Sequence, residues 1–276
     1  MTNFLRNQAR AAAIGVGTAL ALTVPGTASA LPQLPQLPDL SSFSNSSADL
    51  KGIIDVLPGL LERAPSPTYD GRTHCSKVLL IGDSTSVIAD TASSLPSASD
   101  TATAQYGRVG VGSVTVDALS GRAIVGGPGV DAEHAVASRL AAAGDACWVI
   151  AMGVNDAGAI ADGSPVNADA RIDRIMKQLT GKSVLWPTIA SSNPKNPAFG
   201  SASMTSFNDA LRRATTRYPN LAVYDWAAVT RPVMFTDGIH YTAAVYAERN
   251  RRFADALATA YPTGGGVAPT TVWIAG

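Results

Sequence analysis

Two cysteines, three histidines and only 15% charged residues exclude several kinds of protein at once. Lys+Arg and Asp+Glu number 21 each, so the formal net charge is +0, and no Lys/Arg cluster breaks the balance. A chain without basic patches offers no electrostatic groove for nucleic acid and no polybasic membrane surface. No Cys/His/carboxylate spacing fits zinc, so no metal is expected. The glycine-rich stretches Gly107-x-x-Gly110-x-Gly112 and Gly126-Gly127-Pro128-Gly129 fit neither G-x-G-x-x-G nor a Walker A pattern and read as turns. Internal repeats are absent too. What the chain has is apolar content, 46% of 276 residues, enough for one globular domain with a substantial core and extra segments at its ends.

Four segments follow from composition. In residues 1–30, Arg6 and Arg10 precede a weakly apolar run, Ala11 to Val24, and Ala28-Ser29-Ala30 puts small residues at a cleavage site. This describes a secretory signal peptide cleaved after Ala30, leaving a chain that starts at Leu31 and carries a net charge of −2, with no integral membrane span. An uncleaved anchor helix is the alternative, but the run is short for a bilayer and diluted by Gly15, Gly17 and Thr18. Residues 31–70 are rich in Pro and Ser and read as a linker, with a possible short helix within Asp49–Arg63 that Gly52, Pro58 and Gly59 interrupt. Residues 71–262 form the folded domain. Residues 263–276 are a Gly-rich tail, either loose or docked by its apolar end VWIAG on an edge strand. The expected localisation is secreted or cell-envelope.

Within the domain, apolar strand candidates alternate with Ala-rich helical stretches, the pattern of an α/β domain with a parallel sheet. Strands are expected at Val78–Ile81, Thr103–Val109, Cys147–Met152, Ser183–Trp186 and Ala222–Tyr224. Helices are expected at Ser86–Ser94, Val130–Ala143, Ala168–Leu179, Ser203–Arg217 and Ala243–Tyr261. Five strands with intervening helices favour a three-layer αβα sandwich with a flavodoxin-like five-stranded parallel sheet. The helix at 203–217 carries Met204, Phe207, Leu211 and Ala214 on one face, read as core packing. Cys75 and Cys147 each open an apolar run, so in parallel neighbouring strands their starts are close. In an oxidising compartment a Cys75–Cys147 disulfide is favoured over two buried thiols.

The stretch KVLLIGDSTS, Lys77 to Ser86, ends an apolar run at Gly82 and presents Asp83 and Ser84 where open α/β sheets carry their chemistry. A nucleophilic serine needs a base, an orienter for that base and oxyanion donors. His74 belongs to the opposite end of the first strand and His134 to a helix surface, which leaves His240. Asp237, three residues before it across Gly238, can bring a carboxylate onto the imidazole Nδ1–H. Asp83 reads as a brace for the turn that presents Ser84. Asn155 leaves the third strand at the same sheet edge, where an Asn-Asp pair is also an ordinary turn signal. Gly121 follows the second strand region, with Gly110, Gly112, Gly126 and Gly127 as competitors. Trp186 reads equally as a pocket wall or a core residue.

Gly82-Asp83-Ser84, Gly121, Gly153-x-Asn155-Asp156 and Asp237-x-x-His240 resemble, in order, the four blocks of the SGNH hydrolases, a branch of the GDSL esterase/lipase superfamily. The blocks cover nearly all of Val78 to Tyr261. The first reads GDSTS, without the Leu of the GDSL name, a departure that touches substrate contacts more than chemistry. The resemblance implies the SGNH hydrolase fold, Ser84 as nucleophile, Asp237 and His240 completing the triad, and Ser84 N–H, Gly121 N–H and the Asn155 amide as oxyanion donors. It implies a carboxylic ester hydrolase needing no cofactor, acting on a small-molecule or glycolipid ester. An envelope acyltransferase using the same residues and a non-catalytic envelope-binding module are the alternatives. Oligomeric state has no sequence signal.

Overall fold

The computed structural model of the chain describes residues 70–276. The expected signal peptide, all but the last residue of the 31–70 linker and the short helix within Asp49–Arg63 lie outside the described residues. Six parallel strands make one sheet: β1 (Lys77–Gly82), β2 (Ser113–Ala118), β3 (Cys147–Ala151), β4 (Val184–Pro187), β5 (Leu221–Tyr224) and β6 (Trp273–Ile274), in the spatial order β2-β1-β3-β4-β5-β6. The helices are α1 (Ala102–Arg108), α2 (Ala132–Ala143), α3 (Val154–Ala161), α4 (Ala168–Gln178), α5 (Ser201–Ala214) and α6 (Ala243–Ala260). Strand alternation sorts the core into two layers. Leu79, Ile81, Trp148, Ile150 and Val184 pack with α2, α4 and α5, whereas Val78, Leu80, Val149 and Leu185 pack with α1 and α6. Both faces of the sheet are covered, which is why its strands read as unbroken apolar runs. The α/β/α architecture and flavodoxin-like order are those expected from the sequence.

The strand count is corrected from five to six. The expected loose or docked tail contributes β6, whose Trp273 and Ile274 pair with Val223 and Tyr224 of β5. Arg212 of α5 lies 3.7 Å over the Trp273 ring and covers it from one side.

Two further local expectations give way to local chemistry. Thr103–Val109 is not a strand but most of α1. The Thr101 hydroxyl caps it by accepting from the Ala104 N–H, and Gly110, at φ 102°, turns the chain out of it. The second strand comes later, where Val114-Thr115-Val116 supplies β-branched residues. Ser86–Ser94 is not one helix: 3₁₀ turns at Ser84–Ser86 and Ala92–Ser94 flank irregular chain. Ser, Thr and Asp are dense there, and such side chains compete for the backbone groups a helix needs. Asn155-Asp156, whose alternative reading is an ordinary turn, lies in the first turn of α3. Trp186 is fully buried and donates its indole N–H to the Met152 carbonyl at 2.9 Å, so it is core.

Cys75 and Cys147 form a disulfide with Cα atoms 5.7 Å apart, at the amino edge of the sheet, where Cys147 registers with Val78. The alternative of two free thiols is thereby excluded. Among the described residues no helix is long and apolar enough to cross a membrane.

Candidate active site

The sheet reverses its direction of winding between β1 and β3, so the carboxyl ends of these two strands flank a crevice, the usual site of chemistry in open α/β sheets. Gly82 registers with Ala118 of β2 on one side and Ala151 of β3 on the other. Segments following all three strands therefore emerge at one edge: Asp83-Ser84, Leu119–Arg122 and Gly153–Asp156.

After β1 the chain bends at once. A Cβ on Gly82 would lie 2.5 Å from the Ser86 Cβ, so only glycine allows so tight a turn. Asp83, fully buried, accepts from the Thr85 N–H at 2.8 Å and the Thr85 hydroxyl at 2.7 Å, bracing the 3₁₀ turn whose first residue is Ser84. Burial pushes the Asp83 carboxyl up, against the pull of the Thr85 hydrogen bonds and the Arg249 charge. Arg249, buried on α6, donates to the Thr85 carbonyl at 3.0 Å and faces the Phe253 ring at 4.3 Å.

Opposite Ser84 stands the loop that precedes α6. A bridge between Phe235 and Tyr241 closes it, and the Thr236 N–H donates to the His240 carbonyl at 2.8 Å. Inside that loop the Asp237 Oδ1 accepts from the N–H groups of Ile239 (2.9 Å) and His240 (2.8 Å), which fixes the carboxylate. Its Oδ2 lies 2.7 Å from His240 Nδ1. Gly238, at φ 89°, makes the turn possible, and a Cβ there would meet the Ser192 carbonyl at 2.5 Å. A carboxylate can only accept, so Nδ1 carries the proton and Nε2 is free to accept. His240 Nε2 lies 2.9 Å from Ser84 Oγ. Burial alone would raise the Asp237 carboxyl, but the hydrogen bonds from His240 and Ile239 overcome it and hold the group down at about 2.

The structure thus brings Ser84, His240 and Asp237 into one hydrogen-bonded chain and leaves the other two histidines elsewhere. His74 sits beside the disulfide at the far edge, 3.9 Å from Cys147 Sγ. His134 lies exposed at the start of α2, bonded to Asp131 at 2.6 Å. His74, Cys75 and Cys147 form a compact group, but both sulfurs are bonded to each other rather than free to ligate.

Gly121 sits in the turn closing Leu119 to Arg122, at φ 75°, and a Cβ there would lie 2.9 Å from Pro128 Cγ. No described residue accepts from its N–H. Of its competitors, Gly110 and Gly112 precede β2 and belong to the opposite edge, while the Gly126 N–H is taken by Asp131 at 3.2 Å. The Asn155 amide donates to the Arg122 carbonyl at 2.9 Å, so it reaches the peptide next to Gly121 and keeps one N–H uncommitted there.

Sequence reasoning missed the buried ions beneath this edge. Asp156, adjacent to Asn155, is fully buried; it accepts from the Ile124 N–H at 2.9 Å and pairs with Arg171 of α4 at 2.6 Å. Arg171 also donates to the Val125 carbonyl at 3.1 Å and to the Ser164 hydroxyl at 2.8 Å. Burial raises the Asp156 carboxyl, opposed by the Arg171 charge. Asp156 was visible beside Asn155, but nothing distinguishes Arg122, Arg171 or Arg249 from the surface arginines of their segments.

No protein-family model and no curated protein matches the sequence. Among solved structures, a carbohydrate acetylesterase family member from Sinorhizobium meliloti is similar with TM-score 0.52 at 19% identity, over 65% of this chain and 95% of that one. A protein from Agrobacterium tumefaciens designated an arylesterase is similar with TM-score 0.50 at 20% identity, over 65% of this chain and 96% of its own. At such identities the likeness is one of fold, and the chain shares the α/β/α fold of these two structures.

Proposed function

We propose that the chain is a secreted or cell-envelope serine esterase of the SGNH hydrolase family, cleaving carboxylic esters of lipids or acylated carbohydrates through an acyl-enzyme. The observation that carries this reading is the chain of hydrogen bonds from Ser84 through His240 to Asp237, at 2.9 and 2.7 Å, at the sheet edge where Gly121 and Asn155 also emerge. His240 Nε2 takes the Ser84 proton as Oγ attacks the ester carbonyl, while Asp237 holds the tautomer and stabilises the imidazolium. The tetrahedral oxyanion rests on the N–H groups of Ser84 and Gly121 and on the Asn155 amide. Protonated His240 then gives its proton to the leaving alcohol. Water, activated by the same histidine, releases the acid. The carbohydrate acetylesterase and arylesterase named above share the fold, and ester chemistry on this site is in keeping with them.

A serine-directed organophosphonate tests the site directly. It should label one residue, Ser84, by peptide mass mapping, and Ser84→Ala should abolish labelling. Absence of labelling on the folded protein would leave a non-catalytic binding module as the better reading. Adding an alcohol or sugar acceptor to the ester assay separates hydrolysis, with free acid as the main product, from transfer, with a new ester.

A further inference from the structure

Arg122 lies directly after Gly121 and is buried, with a side chain only 5% exposed. Its guanidinium joins the loop that Gly121 begins to the carboxyl ends of β2 and β1, which the strand ladder already pairs through Gly82 and Ala118. Nε donates to the Val130 carbonyl at 3.0 Å, on the return limb of the loop that Gly121 begins. Nη1 donates to the Asp117 carbonyl at 2.6 Å, at the end of β2, and makes a longer contact of 3.4 Å to the Gly82 carbonyl, two residues before Ser84. Nη2 pairs with the Asp117 carboxylate at 2.9 Å, whose other oxygen is held by Arg139 at 2.9 Å. Burial alone would raise the Asp117 carboxyl, but these two guanidinium groups hold it below its ordinary value.

The main chain of the same residue is fixed from the other direction, because its carbonyl accepts the Asn155 amide at 2.9 Å. Arg122 is thus tied by its side chain to the end of β2, which pairs with the strand that delivers Ser84, and by its backbone to Asn155. Between these two attachments sits the peptide of Gly121.

We propose that Arg122 is a positioning residue that sets both oxyanion donors, the Gly121 N–H and the Asn155 amide, in register with Ser84. Planar and forked, a guanidinium serves several acceptors in fixed directions, whereas an ammonium is a point donor that cannot hold all of them. Arg122 acts on geometry rather than on the substrate. Its loss therefore weakens stabilisation of the developing oxyanion while substrate binding and the Ser84–His240–Asp237 chain are left in place.

This inference rests on the esterase reading, and kinetics of Arg122→Lys, Asn155→Ala and the double variant on a p-nitrophenyl acyl ester keep the two apart. Wild-type turnover with loss in Ser84→Ala supports the esterase reading; no wild-type turnover removes that reading and the inference with it. Given turnover, Arg122→Lys should lower kcat about tenfold or more with KM within about twofold and an unchanged pH profile, since small misplacements of reacting groups cost up to about a hundredfold. Asn155→Ala, about a hundredfold or more slower than wild type by itself, should cost less than about tenfold more when Arg122 is already Lys. Wild-type kcat in Arg122→Lys, or effects that simply multiply in the double variant, overturns the proposal. If Arg122→Lys does not fold, Asp117→Asn, which loosens the guanidinium without removing it, should reproduce the kcat loss and its coupling to Asn155; independence there overturns the proposal equally.

Discussion

His240 Nε2 and Ser84 Oγ lie 2.9 Å apart although 156 residues separate them in sequence. The chain closes that distance through α6, which starts two residues after Tyr241 and carries Arg249 back to the Thr85 carbonyl at 3.0 Å. The turn that presents the serine and the loop that presents the histidine are therefore attached to the same helix. The attachment of the serine turn is a buried, charge-assisted hydrogen bond.

Asp237 sets the tautomer of His240, and Asp237→Asn should lower kcat by about a thousandfold or more with little change in KM, as loss of the orienting carboxylate does in serine hydrolases. Its carboxyl is held at about 2, below its ordinary value of 3.8. A depressed carboxyl contributes stability that is present above pH 3.8 and lost as pH falls through about 2. The stability difference between wild type and Asp237→Asn should accordingly shrink across that acid range, a small effect for a half-exposed group, measured by thermal melts at stepped pH. A kcat within tenfold of wild type would count against the assigned role.

Asp156 and Arg171 form a buried pair, 0% and 2% exposed in their side chains. Asp156→Ala strands the guanidinium without its counter-charge, and breaking such a pair destabilises by about 3–5 kcal/mol. Urea denaturation should show that loss as a lower midpoint. A change under about 1 kcal/mol, the range of an exposed ion pair, would mean that the pair is solvated.

The disulfide closes a 72-residue separation at the edge of the sheet away from Ser84. The chain-entropy account gives about 4 kcal/mol for a loop of that size, equivalent to about 10 °C in Tm for a domain of this length. Cys75→Ser/Cys147→Ser should melt lower by that order while keeping kcat and KM at 25 °C. Loss of activity in a variant still folded at 25 °C would show that the two edges are coupled.

The parallel sheet was legible because both its faces are buried, which makes KVLLIG and CWVIA continuous apolar runs. That Ser84, Asp237 and His240 come together was legible because a serine nucleophile would need a base and an orienting acid, and only one histidine was expected at the edge of Ser84; the three lie in one hydrogen-bonded chain. The second strand was misread because Thr103–Val109 contains apolar residues in a segment that a Thr101 cap makes helical. β6 was not separable from a loose tail because two residues carry too little periodicity. The arginines behind the site were invisible for a different reason. Burial of Arg122, Arg171 and Arg249 is a product of tertiary packing, and no local pattern records which carbonyls will meet a guanidinium.

The central claim is that Ser84 is the nucleophile of an ester-cleaving site. Its most direct test is turnover of p-nitrophenyl acetate and longer acyl homologues by wild type and Ser84→Ala, with circular dichroism on both to establish equal folding. The account predicts ester hydrolysis by the wild type and a loss of about a millionfold in kcat, to background, in Ser84→Ala. Full turnover in the folded Ser84→Ala protein would contradict it.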